Sequence, residues 1–189
     1  MLPILRSRFD ELERQRRVLL QRLLAHTPAQ LAFHPSPGVW SLAQLIQHLV
    51  LVEEGTLMFL EKKAPRPASS RTLRDRLKWA VFSRVSPLPV RVKTPTDLVV
   101  PRAEATVEAL VQRWDAARVR LAEYLERVDD AALPLIVFKH AIGGPLPILE
   151  TLDFVGLHIR HHEHQIRRIQ AAPGWPAAVH SPPPARATV

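Results

Sequence analysis

Four histidines crowd the stretch HIRHHEHQIRRI, which runs from His158 to Ile169: His158, His161, His162 and His164. Imidazole binds metal ions, titrates near neutral pH and donates hydrogen bonds. The cluster is therefore a metal site, a pH-responsive contact or a solvated basic stretch, and helical phase separates these readings. Each helical residue advances by about 100°. His158 and His162 are four apart, so they lie about 40° apart on one face, one turn from each other. That face also carries Ile148, Leu152, Val155, Ile159, Ile166 and Ile169, so both histidines point into a helical core. His161 lies between this stripe and its flank, His164 faces away, and Gln165 returns to the face of His158 and His162. An i, i+4 histidine pair is half of a metal site, because both rings reach one ion, or else a partly buried pair held by ordinary hydrogen bonds.

A third histidine bears on that choice. His48, in AQLIQHLVLVEE, sits one turn after Leu45 and one turn before Val52, so it too points inward. Three inward histidines on two helices are costly in an apolar core unless their nitrogens find partners. A divalent metal would satisfy all three. Three neutral imidazoles also leave coordination positions open for water or substrate, as in catalytic rather than closed structural sites.

The elements that must position these residues read as helices. Leu5, Phe9, Leu12, Leu19 and Leu23 recur at steps of three and four, with Arg16 interrupting the stripe; Pro28 and HPSPG end the helix and form a linker. The second helix begins at WSLAQL. Ser41 is the N-cap, Gln44 completes a capping box, and Trp40 and Leu45 occupy the staple positions. Leu42, Leu45, Leu49, Val52 and Leu60 form its buried face, and it stops near Lys62 and Lys63. A short amphipathic helix is expected from Thr72 to about Arg84, with Leu73, Leu77 and Val81 on one side. SPLPVRVKTPTDLVVP is too proline-rich for helix or central strand. A third long helix is expected from about Arg102 to Arg127, striped by Val107, Leu110, Trp114, Leu121 and Leu125. FKHAIGGPLP reads as a loop shaped by His140 and Gly143, and the last helix starts near Pro147. The expected fold is all-α: a four-helix bundle with a long connection between helices 2 and 3. Residues 1–172 form its single domain, and 173–189 form a proline-rich tail without fixed structure.

The chain has 189 residues, 47% of them hydrophobic, enough for one domain with an ample core. It has no cysteine, which excludes disulfides, a thiol nucleophile and Cys-ligated metals. MLPILRSRFDELERQ lacks the long apolar core of a signal peptide, and no apolar run approaches the roughly 18 residues of a membrane span. These features lead to the expectation of a soluble, cytoplasmic protein without a membrane partner. The net charge is +8, but the basic residues are scattered, without aromatic interleaving. A nucleic-acid partner therefore rests on charge alone and ranks last.

Three segments together resemble the DinB-like superfamily, which includes YfiT-type metal-dependent hydrolases and thiol transferases. GVWSLAQLIQHLVLVEE is similar to its tryptophan–serine helix start followed by an inward His-Leu. HAIGGPLPILETLDFVGLHIRHHEHQIRRI is similar to its last helix and preceding glycine-bearing loop, with the pattern H-x-x-x-H-x-x-Q-I. VKTPTDLVVPR resembles its lead into the third helix. The likeness spans roughly residues 1–172.

The resemblance implies a four-helix bundle holding a divalent metal, usually zinc or nickel, on three histidines that match His48, His158 and His162. His161 and His164 have no ligand counterpart. Relatives of this kind add low-molecular-weight thiols such as bacillithiol or mycothiol to electrophiles, or isomerise with them. Glu53 matches an acid often seen in the family. Five residues turn it about 140° from His48, so a supporting or surface position is expected rather than ligation. Gln165 is expected to orient a histidine or a water, or else to pack between helix ends. Arg16 is expected to lay its stem along the core with its head in water, or to bind the carboxylate of a thiol cosubstrate. Gly55, seven residues after His48 on the same side, is expected to allow a close helix crossing, or else to make room for substrate. Trp79 and Phe82 would supply an apolar contact for a homodimer. Two function classes follow: a metal-dependent thiol transferase or hydrolase acting on a small electrophile, and a non-catalytic metal-binding stress-response bundle acting through a partner. An open site beside a pocket distinguishes the first from the second.

Overall fold

The computed structural model describes residues 1–88, 97–101 and 105–177. Four long helices build the bundle: α1 (Pro3–Leu24), α3 (Leu42–Lys62), α5 (Val107–Glu126) and α6 (Ile148–Gln170). α3 packs on α5 and on α6, and α1 packs on α6. The stripes read from the sequence form the interior. Leu5, Leu12, Leu19 and Leu23 of α1, Leu110, Trp114 and Leu125 of α5, and Ile148, Leu152, Ile159, Ile166 and Ile169 of α6 are all buried. Ser41 and Gln44 form the reciprocal capping box that starts α3. Among the described residues no helix is long and apolar enough to cross a membrane.

The structure departs from the expected boundaries in three places. The linker after α1 contains a short helix, α2 (Pro28–Ala32), because Thr27 caps it and Gln30 bonds back to Thr27. α5 begins at Val107 rather than near residue 102, since Thr106 accepts the amide of Ala109 and sets the cap there. The stretch read as a loop is a β-hairpin, β1 (Ile136–His140) paired antiparallel with β2 (Gly144–Pro147). Gly144, at φ +80, takes the left-handed conformation its turn requires. The hairpin gains a further pairing from Arg66, which exchanges two backbone hydrogen bonds with Ile136.

The connection between α3 and α5 carries α4 (Leu73–Val85), capped by Thr72 and Asp75. Its expected apolar side does not pack: Leu73, Leu77 and Val81 are 83, 63 and 54% exposed. Trp79 and Phe82 turn inward instead, against the cluster that includes Phe138 and Phe154. Gly156 permits the close crossing of α1 and α6; a Cβ there would stand 3.2 Å from Leu12 Cδ2 and 3.1 Å from Gln15 Oε1. At the far end, Trp175 packs edge-on against His26 and Phe33, and Gln30 donates to the carbonyl of Pro176 at 2.9 Å. The remainder of the expected tail, 178–189, lies outside the described residues.

Candidate metal centre

α3 delivers His48 and α6 delivers His158 and His162 to one point. A ring nitrogen from each lies within 4.8 Å of the others. His158 Nε2 is 3.2 Å from His48 Nε2 and 3.0 Å from His162 Nε2. The outer nitrogens of the two flanking rings are occupied. His48 Nδ1 donates to the carbonyl of Val99 at 2.7 Å, and His162 Nδ1 donates to Gln165 Oε1 at 2.9 Å. A neutral imidazole has one N–H, so both flanking rings present a bare lone pair at Nε2. Only His158 has a proton to offer between them, which leaves one inward lone pair without a partner.

Burial keeps these rings neutral. It lowers the pKa of His48, and lowers that of His158 further because the other histidines add their repulsion. Burial and the neighbouring His48 take His162 down to about 3. Three neutral, convergent imidazoles are the donor set a divalent transition metal requires, and a cation at their centre, with the His158 proton moved to its Nδ1, would remove the conflict among them. The residues therefore fit the group.

The other singled-out histidines go elsewhere. His161 Nδ1 donates to the carbonyl of Ser86 at 2.7 Å, and His164 Nε2 to that of Pro87 at 3.0 Å. Together they tie α6 to the end of α4. Glu53 is buried on another face of α3, where Arg118 Nη2 donates to its carboxylate at 2.7 Å. Burial pushes its carboxyl above the usual range, against the pull of Arg118. Arg16 is buried too; its head is out of the water and paired with Glu13 and Asp115. It does not line the cavity beside the histidines.

That cavity is wide, about 1830 Å³ as the described residues bound it. Trp40, whose ring lies 4.9 Å from that of His48, forms one wall. Phe59, Phe138 and Phe154 form another. Gly55 opens onto this space. A Cβ there would meet nothing within 4 Å, so it makes no close helix crossing. The carbonyl of Val99 and the aromatic wall on β1 were not legible as parts of the site. Their only signals were a proline-rich stretch and a loop with one histidine.

No curated protein and no solved structure matches this chain. A family model described as the DinB superfamily matches residues 11–166, most of the bundle and all three convergent histidines, and the chain belongs to that superfamily.

Proposed function

We propose that this protein is a divalent-metal-dependent enzyme that transfers a low-molecular-weight thiol to a small electrophile, or hydrolyses one. The observation that carries the reading is the juxtaposition of three convergent Nε2 atoms on neutral imidazoles with a large open cavity. Among the described residues no fourth histidine or carboxylate joins the three, which favours an open catalytic site over a closed structural one.

His48, His158 and His162 would hold the ion. When bound, the ion would supply positive charge that acidifies a thiol or water arriving at that corner of the cavity. The chain's own residues do the rest. The Val99 carbonyl and Gln165 fix the tautomers and aim the rings. The aromatic walls take up an apolar substrate body and exclude water. Among the described residues, Arg74, Lys78, Lys139 and Arg168 border the cavity against Glu54 and Asp97, and Glu54 is already gripped by Arg113 at 2.6 and 3.0 Å. That excess of positive charge suits a thiol bearing carboxylates. The chain has no cysteine, so the thiol comes from outside.

Metal analysis of untagged protein, followed by a screen of thiols against electrophiles with zinc or nickel restored, tests the proposal. Turnover that requires metal and external thiol, or metal and water, supports it. Bound metal without turnover on any pair favours the non-catalytic, partner-dependent alternative. Homodimerisation belongs to the same reading, and a monomeric mass by light scattering at micromolar protein would remove it.

A further inference from the structure

His140 ends β1 with its ring committed on one side only. Its Nδ1 accepts the backbone N–H of Gly143 at 2.7 Å and that of Ile142 at 3.3 Å. A nitrogen that accepts two N–H groups carries no proton, so the neutral ring keeps its hydrogen on Nε2. Burial takes the ring's pKa down to about 4, which maintains this neutral form at neutral pH. The arrangement is tight: a Cβ on Gly143 would stand 3.1 Å from His140 Nδ1 and 3.3 Å from the Trp79 ring. Phe82 and Phe154 pack on the imidazole with ring centres 4.6 and 4.4 Å away. Among the described residues no group accepts the Nε2–H. The ring lines the large cavity, and Phe154, which touches it, is also 5.8 Å from the ring of His158.

The His140 Nε2 is not among the buried atoms left without a partner, so the hydrogen reaches the open cavity, where water or a ligand accepts it, and an apolar ligand lying on these rings displaces that water and must replace its bond. We infer that His140 is a substrate-binding residue. Its Nε2–H donates to the carbonyl oxygen of a small apolar ligand whose body lies against Phe59, Phe138 and Phe154. A neutral donor among aromatic rings suits a neutral acceptor; a carboxylate would be drawn to Arg74, Lys139 or Arg168. The inference deepens the proposed function by naming the electrophile class, an apolar ketone, enone or ester. It rests on that reading only in calling the ligand a substrate.

The test uses two probes of one shape, β-acetonaphthone and β-isopropenylnaphthalene, in which a methylene replaces the carbonyl oxygen. Each is titrated by fluorescence into the full chain as purified and again after chelation, with nitrogen–proton spectra of histidine-labelled protein. The ketone binds about fivefold tighter, the worth of one hydrogen bond, in both preparations. The His140 Nε2–H resonance moves downfield with the ketone and not with the alkene. His140→Asn keeps an oxygen to accept the turn amides, while its NH2 stands near the place of the ring Cδ2 and stops short of where Nε2 donates, so it binds both probes equally. If that variant does not fold, the wild-type resonance decides. Equal affinities in the wild type, no binding of either probe, or a preference that persists in His140→Asn overturns the inference. A preference that disappears on chelation also overturns it, while leaving the metal reading intact. A preference that survives in a protein that never binds metal upholds His140 and removes the metal reading.

Discussion

His162 Nε2 faces His158 Nε2 across 3.0 Å, and Gln165 takes the only proton His162 has to donate. The same holds for His48, whose proton goes to Val99. One divalent ion per chain is therefore expected. His48→Ala, His158→Ala and His162→Ala each abolish binding of zinc and nickel, while His161→Ala and His164→Ala retain it, because those rings bond to Ser86 and Pro87. Calorimetric titration of the five variants after chelation checks this. Loss in His161→Ala with retention in His162→Ala would show that the helical-phase argument is wrong.

Gln165 reaches the metal set only through His162. Replacing it by Leu removes the acceptor at 2.9 Å that aims the ring. Affinity should fall about 10–100-fold with the stoichiometry still one. An unchanged affinity would reduce Gln165 to a packing residue.

The depressed histidine pKa values set the pH response. Above about 6.5 the rings are neutral in both folded and unfolded chains. As pH falls below that, the unfolded chain takes up protons that buried His162, at about 3, and His140, at about 4, refuse. The unfolded state then binds more protons, so the metal-free protein loses stability steadily from about pH 6.5 down toward those lower values. Chemical denaturation across that range measures the slope. His140→Asn removes one contributor and should flatten it. Proton competition for the metal should likewise set in well below 6.5, the value an exposed histidine would give.

Arg118 is 3% exposed and bridges Glu53 on α3 to Glu13 on α1. Arg118→Met leaves a buried carboxylate without its cation and should cost about 3–5 kcal/mol by denaturant melt. The double variant Arg118→Met, Glu53→Leu should recover most of that, since the lone charge is gone. A single variant within about 0.5 kcal/mol of wild type would mean that solvent reaches Glu53.

The histidine triad was legible because periodicity places side chains on a helix face without knowledge of the partner helix. The cap at Ser41 was legible for the same local reason. Contacts that cross between elements were not. Arg16 reads as a stripe-breaker with its head in water, yet it is buried and pairs with Glu13 on its own helix and with Asp115, distant in sequence, on α5. Glu53 is readable only as turned away from His48; that Arg118 awaits it depends on how α3 meets α5. The hairpin at 136–147 was missed because its strands are short and carry two prolines, and because its register rests partly on Arg66, some seventy residues upstream.

Gly55 separates the cavity's function from its stability. Read from the sequence, a glycine seven residues after His48 suggests two helices in close contact, and a leucine there would then cost about 1–3 kcal/mol through overpacking. The structure gives the opposite expectation, since a Cβ at Gly55 meets nothing within 4 Å. Gly55→Leu should melt at or above the wild-type temperature, because leucine relieves roughly 1 kcal/mol of helix-interior glycine cost. Its side chain would project into the cavity beside Phe59 and Met58. Metal should still bind at one per chain, because the three histidines are untouched. Uptake of β-acetonaphthone and turnover of any electrophile found in the screen should fall at least tenfold, a loss of about 1.4 kcal/mol. Thermal melting, metal titration and probe binding on this one variant check the three parts separately. A destabilised Gly55→Leu would put a helix where the structure places open space, and a stable variant with full ligand uptake would move the substrate site away from this wall.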